Sequence, residues 1–519
     1  MFSVLLETLG CRLNQTESES LAFIFAKYGF SVIKREDMEG GREKHAKLET
    51  KKIAKQLSME HNGGCKRNYP RLCIVNTCTV TSKAEQKARR IIRLLLKTYE
   101  EAIVLVTGCY AELEAEKIED MGERVVCFSG KKKDLLIHLP QYLKKHCEHA
   151  SNAPSYEYEK ARKNDLDLVA QLKHSLLSFK AEYANNADTL LQASCKPELL
   201  TLHSSSSPFP HSLQLQNAHF TPLFALSTIE FMFHSRATLK VQDGCNNACS
   251  FCRIRLARGK SVSLETREAM RRIKEIEEKG AAEVVITGVN LSQYKDDDKD
   301  FSHLLHLLLD ATSHIRIRIS SLYPESITPS FLSIVEDERI CPHFHLSIQS
   351  GSNKILARMG RRYTQERVFE AVGDLRKVKK RPFIGCDIIA GFPEESEEDF
   401  LMTMEMCRIL QLPGVHAFPF SPRPGTIAAS MQGKVSERIA KERVSTLNAI
   451  AEKNYKAYLD SFDGKTLFAV VEGEGDAVHV TTENYLQLPL IRKENAQQGS
   501  LKAGNGLFVR IKGNEAEEV

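Results

Sequence analysis

The chain has 519 residues, of which 42% are hydrophobic and 27% are charged, and this globular composition over such a length predicts more than one domain. The formal net charge of +5 permits a nucleic-acid partner but does not require one. The first residues, MFSVLLETLGC, lack the pattern of a signal peptide, and the apolar window 221–233 is too short for a membrane span. We therefore expect a soluble cytoplasmic protein whose 14 cysteines are thiols or metal ligands rather than disulfides.

Residues 1–145 predict an N-terminal domain with a parallel sheet. The segments FSVLLETLG, RLCIVNTCTV and AIVLVTGCY are apolar strand candidates, and helical spacing follows the first two. This alternation of strand and helix is typical of an α/β fold. The stretch 36–69 is charged and interrupted by glycines, which predicts an inserted surface loop.

The remaining chain divides into three further regions. Residues 146–234 carry no clear period and contain SSSSPFPHS, so we expect an expansion between domains that is partly disordered, although 165–185 has helical character. Residues 235–458 contain five or six strand and helix pairs, which predict a complete or partial (βα) barrel with its site at the carboxyl ends of the strands. Residues 460–519 contain short strands divided by glycines, which predict a small all-β barrel.

The loop QDGCNNACSFC holds Cys245, Cys249 and Cys252 in the spacing C-x3-C-x2-C. Three thiolates on a four-iron cube would leave one iron open to an exchangeable ligand. A structural zinc site normally closes four positions with C-x2-C pairs and fits this spacing poorly. Coincidental core cysteines are the remaining alternative. Gly244 permits a tight turn, and Phe251 can cover one face of an adenine.

Three more cysteines each follow a predicted strand: Cys11, Cys78 and Cys109. Because the strand ends at one edge of a parallel sheet converge, these thiols could hold a second cluster. Other cysteines lie in apolar runs and are expected to be small core residues: Cys73, Cys341, Cys386 and Cys407.

The C-x3-C-x-aromatic-C loop after a first barrel strand resembles the radical S-adenosylmethionine superfamily. There the open iron binds the amino and carboxylate groups of S-adenosylmethionine, and one electron releases a 5′-deoxyadenosyl radical. Over 1–35, 70–145 and 235–515 the chain resembles the methylthiotransferases, which end in a small TRAM domain. The motif TLGCRLNQTES is similar to the MtaB-type branch, whereas the MiaB-type reads T-x-G-C-Q-M-N and the RimO-type S-L-G-C-x-K-N.

The resemblance implies transfer of a methylthio group to C2 of N6-threonylcarbamoyladenosine at position 37 of tRNA. It implies two [4Fe-4S] clusters, with S-adenosylmethionine as both methyl donor and radical source, and a reducing electron donor such as flavodoxin. The cluster ligands would be the two cysteine trios, with Cys245, Cys249 and Cys252 catalytic. Cys65 and Cys73 rival Cys78, which is preferred for its N-T-C context. The chain has SVS at 261–263 where the family often has an arginine between two serines, which puts one cofactor or tRNA contact in question.

The same resemblance assigns the remaining candidate residues. S-adenosylmethionine would contact Phe251, Thr287, Gly288, Asn290, Gly391 and Pro393. The substrate pocket would include Ser347, Gln349 and Ser350. Basic residues of the terminal barrel would bind RNA phosphates, with Tyr485 for stacking: Lys465, Arg492, Lys493, Lys502 and Arg510. A threonyl carboxylate would be met by one or more of Arg316, Arg318, Arg361, Arg362 and Arg423.

Two alternatives stay open from the sequence. Within the class, the substrate could be isopentenyladenosine in tRNA or an aspartate of a ribosomal protein. From another class, the chain could be a non-catalytic iron–sulfur protein that binds RNA, with structural clusters. The open-site spacing of the cysteines argues against the second alternative.

Overall fold

The computed structural model describes residues 2–34, 69–129, 136–147, 169–181, 224, 226, 232, 234–473, 478–491 and 502–519. The predicted loop at 36–69, except Tyr69, and most of the predicted expansion lie outside these residues. The chain forms two compact units, Met1–Thr79 with Lys83–Ser207, and Val80–Ser82 with Pro208–Val519. No helix in the described ranges is long and apolar enough to cross a membrane.

The first unit is built on a five-stranded sheet with the order β2-β1-β3-β4-β5, and all its pairings are parallel. Its strands are β1 (Ser3–Thr8), β2 (Ser31–Lys34), β3 (Pro70–Thr77), β4 (Ile103–Gly108) and β5 (Val125–Cys127). Its helices are Arg12–Lys27, Ser82–Thr98, Cys109–Leu113, Ala115–Glu119 and Leu139–Cys147. β3 and β4 are almost wholly buried, as the continuous apolar runs LCIV and IVLV require.

Residues 169–181, inside the predicted expansion, form a helix of the first unit. Leu172, Leu176 and Phe179 recur at helical spacing and are buried. The Phe179 ring lies 5.9 Å from Phe128 and 5.2 Å from Tyr142. This helix therefore packs against the first unit through its apolar face. The spacing of the same apolar residues explains the helical character that the sequence shows at 165–185.

The second unit contains the partial barrel that the sequence predicts. Its parallel strands follow one another in chain order as two sheets, β6-β9-β12 and β13-β14-β15-β16, and only Ser320 separates β12 from β13. The strands are β6 (Ala237–Lys240), β9 (Glu283–Thr287), β12 (Arg316–Ile319), β13 (Ser321–Leu322), β14 (His343–Gln349), β15 (Phe383–Ala390) and β16 (Gly414–Pro419). β7 (Gln242–Asp243) pairs antiparallel with β8 (Val262–Ser263) across the cysteine loop, and a short hairpin joins β10 (Lys295–Asp296) to β11 (Lys299–Asp300).

Helices cover the outer face of these strands: Thr266–Glu278, Phe301–Asp310, Pro329–Val335, Asn353–Arg358, Gln365–Val378, Glu397–Ile409 and Glu437–Asp460. Two shorter helices, Ile254–Arg258 and Ile427–Ser430, lie outside this core. Strand residues such as Ile286, Leu346 and Ile388 are fully buried in one core with helix residues such as Leu305 and Leu375. The alternate residues of each strand therefore face the barrel interior.

The chain ends in a small closed β-barrel with the order β17-β18-β19-β21-β20, which confirms the predicted all-β tail. Its strands are β17 (Thr466–Glu472), β18 (His479–Thr482), β19 (Gln487–Ile491), β20 (Gly506–Lys512) and β21 (Glu515–Glu518). Leu459 and Phe462, at the end of the preceding helix, contribute to its core. The helix Glu437–Asp460 thus continues directly into the terminal barrel.

A buried ion pair joins the two barrels of the second unit. Arg318 is 1% exposed and makes a bidentate contact with Glu283, at 2.7 Å and 2.6 Å. Its guanidinium also donates to the carbonyl oxygens of Thr482 and Glu483 in the terminal barrel, at 3.0 Å and 3.2 Å. Arg316 pairs with the Glu483 carboxylate at 2.6 Å. Both arginines are engaged at this joint.

Two sequence-based assignments are therefore wrong. Arg316 and Arg318 are not free to meet a substrate carboxylate, because their donors already serve Glu283 and Glu483. Tyr485 is not an open stacking platform, because its ring packs on His343 of β14 at 4.1 Å. The partners of all three lie far away in sequence.

We expect the substitution Arg318→Met to lower the free energy of unfolding by about 3 kcal/mol, because it leaves the buried Glu283 carboxylate without its main partner. Arg316→Met is the matched control, since it breaks a partly exposed pair that contributes at most about 1 kcal/mol. Urea unfolding of both variants would measure the difference. Equal losses would show that the buried pair does not hold the joint.

Candidate functional site

Cys245, Cys249 and Cys252 lie on one loop after β7, at the carboxyl edge of the barrel. The loop is shaped by Gly244, whose φ of 69° is left-handed and whose missing side chain would fall 2.0 Å from the Lys260 carbonyl oxygen. The backbone N–H of Cys245 donates to the Gly259 carbonyl at 3.1 Å. The turn therefore requires glycine at 244 and presents the three thiols from a fixed backbone.

The three thiols interact with one another. Burial is the main cause that raises the pKa of Cys252 to about 11, and the charges of Cys249 and Cys245 add to it. Burial also raises the pKa of Cys249, an effect that Arg361 opposes. Bound metal would replace the thiol protons and reverse this cost.

Thr287 and Asn290 offer unpaired polar atoms beside the cysteine loop. Thr287 is the last residue of β9 and Asn290 follows that strand, and Thr287 Oγ1 and Asn290 Oδ1 are buried without a hydrogen-bond partner. Asn290 Nδ2 lies 3.8 Å from the Cys245 sulfur. Buried polar atoms are normally satisfied, so this pair fits a ligand whose amino N–H groups can donate hydrogen bonds, as those of S-adenosylmethionine can. Gly288 lies between them, and an added Cβ would come within 3.0 Å of Leu291 and Gln242.

For the other predicted cofactor residues, Phe251, Gly391 and Pro393, the structure gives less direct support. The Phe251 ring lies 6.4 Å from Phe392 and 5.6 Å from the Arg361 guanidinium. An added Cβ on Gly391 would lie 2.6 Å from Ala440, so close packing of the helix Glu437–Asp460 already explains that glycine. Contact of Gly391 and Pro393 with S-adenosylmethionine stays a prediction.

A cavity of about 230 Å³ adjoins the cysteine loop. It is lined by Asn247, Ala248, Tyr323, Glu325, Gly360, Arg361 and Arg362. The Arg361 guanidinium lies 4.8 Å from the Tyr323 ring, and its Nε and Nη1 are buried without hydrogen-bond partners. A cation with unused donors in a cavity favours an anionic ligand.

Two of the predicted arginines, Arg361 and Arg362, thus reach a cavity. Arg423 is 3% exposed and does not line it. Tyr323 and Glu325 were missed by sequence reasoning, although both follow the strand segment RIRISSL. Burial raises the pKa of Glu325, while Arg361 and Arg362 oppose that shift.

The predicted substrate residues after β14 are largely used within the fold. Ser350 is fully buried, and its Oγ lies 3.4 Å from Thr403 Oγ1. The Ser347 carbonyl oxygen accepts a hydrogen bond from the Tyr363 hydroxyl. Gln349 is mostly buried and has a φ of 71°. These residues shape the turn above β14, and a substrate role for them stays a prediction.

In the first unit, Cys11, Cys78 and Cys109 follow β1, β3 and β4, which are neighbours in the sheet. Their strands end at the same edge, as the sequence pattern predicts. An added Cβ on Gly10 would lie 2.6 Å from Cys78 Cβ, so the turn before Cys11 touches Cys78. The Asn14 side chain donates to the carbonyl oxygen of Thr77 at 2.9 Å and ties the same two turns together. This edge can hold a second cluster.

The rival cysteines differ from this trio. Cys73 is fully buried inside β3, and burial raises its pKa to about 12. Cys65 lies outside the described residues. Cys341, Cys386 and Cys407 are also fully buried, as expected of core residues. Geometry therefore favours Cys78 over Cys73 as the third ligand.

The terminal barrel carries an aromatic pair that sequence reasoning missed. Phe468 and Phe508 are directly opposite on β17 and β20, with ring centroids 5.7 Å apart. Phe508 is 56% exposed, and Arg510 and Lys512 follow it on the same strand face. The alternation in GLFVRIK is the signal that could have revealed this surface. Lys465 and Lys502 are also exposed, whereas Arg492 and Lys493 lie outside the described residues.

Comparisons with known proteins agree with these features. Residues 239–407 match the radical SAM superfamily, and 44–130 match uncharacterized protein family UPF0004. The chain is 46% identical, over 99% of its length and 98% of the relative, to threonylcarbamoyladenosine tRNA methylthiotransferase MtaB of Treponema pallidum (strain Nichols). It is 32% identical to the protein of the same name from Aquifex aeolicus (strain VF5), over 93% of the chain and 96% of the relative. It is 26% identical to tRNA-2-methylthio-N(6)-dimethylallyladenosine synthase of Thermodesulfovibrio yellowstonii, over 91% of the chain and 89% of the relative.

We expect anaerobically reconstituted protein to bind about eight irons, four at each cysteine trio. Replacing Cys245, Cys249 and Cys252 together by alanine should leave about four irons, because the N-terminal trio is intact. Cys11→Ala, Cys78→Ala or Cys109→Ala should each reduce the other four.

The matched control is Cys73→Ala, which removes a buried thiol from the same sheet and should keep about eight irons. Iron analysis together with Mössbauer spectroscopy would measure both sets. Loss of a cluster in Cys73→Ala with retention in Cys78→Ala would contradict the N-terminal assignment.

Proposed function

Because the chain belongs to the MtaB-type family of tRNA methylthiotransferases, we propose that it transfers a methylthio group to C2 of N6-threonylcarbamoyladenosine at position 37 of tRNA. The observation that carries the proposal is the match to relatives of this name over nearly the full length of the chain. The site described above supports the chemistry that this reaction needs.

The reaction needs a radical route. C2 of adenine bears no acidic proton and is a poor nucleophile, so acid–base catalysis cannot readily place sulfur there. Two [4Fe-4S] clusters and S-adenosylmethionine, when bound, supply a carbon-centred radical and the methylthio group. Acting on tRNA, the protein would work in the cytoplasm and receive electrons from a reducing donor such as flavodoxin.

The residues of this chain would hold and orient these groups. Cys245, Cys249 and Cys252 would bind the cluster that keeps an open iron, and the N-terminal trio would bind the second. Thr287 Oγ1 and Asn290 Oδ1 would accept hydrogen bonds from the amino group of S-adenosylmethionine, which satisfies two otherwise unpaired buried atoms.

The cavity beside Cys249 would receive the modified base. Arg361 and Arg362 would pair with the threonyl carboxylate, and the Tyr323 ring lies against the Arg361 guanidinium at 4.8 Å. An isopentenyl group would leave these donors unpaired, and a site built for polar groups rejects such analogues strongly. The described geometry thus favours the carboxylate-bearing substrate.

The terminal barrel would bind the RNA. Phe508 offers an exposed ring for base stacking, and Arg510 and Lys512 lie along the same strand for phosphate contacts. Lys465 and Lys502 would extend this basic surface. The Arg318 joint would keep the surface at a fixed position on the radical barrel.

We expect tRNA carrying N6-threonylcarbamoyladenosine to be turned over and tRNA carrying isopentenyladenosine to be rejected. Arg362→Met should lower kcat/KM for the former by about 10- to 100-fold, since one charge-assisted hydrogen bond is lost. Arg408→Met, an exposed arginine paired with Glu405 on the helix Glu397–Ile409, is the control and should not change kcat/KM.

Nucleoside mass spectrometry of both tRNAs after reaction measures the outcome. Turnover of the isopentenyl substrate alone would overturn the assigned substrate while sparing methylthio transfer. Failure to form 5′-deoxyadenosine under any condition would instead favour a non-catalytic RNA-binding protein.

We expect tRNA binding to weaken with salt, because each neutralised phosphate releases counterions. Arg510→Gln should reduce the slope of log K against log salt by about 0.9 per lost contact. Phe508→Ala should weaken binding by about 1–3 kcal/mol with little change of slope, because stacking is not ionic.

Lys274→Gln on the exposed face of the helix Thr266–Glu278 is the matched control and should keep both quantities. Filter binding at several salt concentrations measures them. These substitutions are preferable to deletion of 460–519, which would also expose the Arg318 and Glu283 pair. If Arg510→Gln left the slope of log K against log salt unchanged, Arg510 on β20 would not contact an RNA phosphate.

A further inference from the structure

His345, Asp387 and His416 form a side-chain cluster that the proposed function does not use. They lie on the adjacent strands β14, β15 and β16, and one ligand atom from each lies within 4.8 Å of the others. His345 Nε2 is 3.1 Å from Asp387 Oδ2, and His416 Nδ1 is 3.7 Å from Asp387 Oδ1. Among the residues that the structure describes, this is the one group with such convergence.

The cluster faces the barrel interior. The residues that alternate with it, Leu346, Cys386 and Val415, pack against the covering helices. Because successive strand residues point to opposite faces, the two histidines and the aspartate share the inner face. The cluster is open to solvent, since the His416 side chain is 61% exposed and that of Asp387 is 30% exposed. An ion in solution can therefore reach it.

The backbone makes room for this arrangement. His345 is aligned with Gly385 of β15, and Asp387 is aligned with His416 of β16. An added Cβ on Gly385 would lie 2.9 Å from His345 Nδ1, closer than real Cβ atoms come. Glycine at 385 thus leaves the space that the imidazole ring occupies while its Nε2 turns toward Asp387.

We propose that His345, Asp387 and His416 bind one divalent transition-metal ion of the zinc and ferrous class. Two imidazole nitrogens and one carboxylate suit such ions, and three protein ligands leave at least one coordination position open. Zinc bonds of about 2.0–2.1 Å place neighbouring ligand atoms about 3.3 Å apart. The histidine nitrogens lie 3.1 Å and 3.7 Å from the two different oxygens of Asp387, and one ligand atom of each residue lies within 4.8 Å of the others, so small side-chain shifts would bring all three to this spacing.

The bound ion would have a structural consequence that does not depend on the proposed tRNA activity. β16 is the last strand in the order β13-β14-β15-β16, so it has a sheet partner on one side. An ion held by all three strands would tie this edge strand to β14 and β15. Without an ion, the same three side chains form ion pairs. The experiment must therefore distinguish a metal site from ion pairs alone.

The experiment uses anaerobically reconstituted holoprotein, in which bound clusters keep zinc from the cysteine trios. The protein is equilibrated with zinc chloride alone, desalted and analysed for zinc and iron by mass spectrometry. Wild type should retain about one zinc more than His416→Gln and His345→Gln, with unchanged iron. The zinc dissociation constant of each variant should rise at least about 10-fold.

His303→Gln is the matched control, because His303 forms an exposed pair with Asp300 at 2.8 Å that lacks a third ligand. It should retain as much zinc as wild type. Zinc should also raise the melting temperature of wild type and His303→Gln but not of His416→Gln, whose exposed side chain can change without disturbing the core. Equal zinc retention in all proteins, or equal loss in His303→Gln, would leave an ion pair only and overturn the proposal.

Discussion

One constraint determines the positions of the functional side chains in both units: in a parallel sheet, the carboxyl ends of all strands lie at the same edge. In the first unit this brings together Cys11, Cys78 and Cys109, which are up to 98 positions apart in the chain, after three neighbouring strands. In the second unit it places the cysteine loop, which follows β6 and β7, beside the end of β9, where Thr287 ends the strand and Asn290 contacts the Cys245 sulfur. The types of side chain determine which cluster and cofactor can bind, but the parallel pairing of the strands determines which side chains lie close together.

The opposite end of the radical barrel has a different role. Arg318 enters from β12, is fully enclosed, and connects Glu283 of β9 to the backbone of the terminal barrel. Such a pair costs desolvation energy, so it contributes through geometry more than through net stability. It fixes the terminal barrel against the radical barrel, and this position determines how an RNA bound at Phe508 and Arg510 would be presented.

The sequence predicted what depends on local spacing. The C-x3-C-x2-C loop, the strand-and-cysteine repeats and the glycine-divided tail each lie within a short window, so their meaning could be inferred without tertiary contacts. The five arginines could not be sorted in this way. Arg318 differs from Arg361 because Glu283 and Thr482 reach one and not the other, and these partners lie far along the chain. Likewise His345, Asp387 and His416 carry no local signal, because strand register alone brings them together.

Buried polar atoms without hydrogen-bond partners indicate which ligand groups the site can bind. A buried polar group without a partner costs about 1–3 kcal/mol, so a fold tolerates it where a ligand supplies the missing bond. Thr287, Asn290 and Arg361 are among the residues that carry such atoms, together with others such as Ser3 and Thr481. Asn290 lies against the Cys245 sulfur, and the Arg361 charge acts on Cys249. Thr287 and Asn290 are suited to an amino group and Arg361 to a carboxylate. The amino group of a bound cofactor would pair with the two buried oxygen atoms, and the carboxylate of the modified base would pair with the unused donors of Arg361.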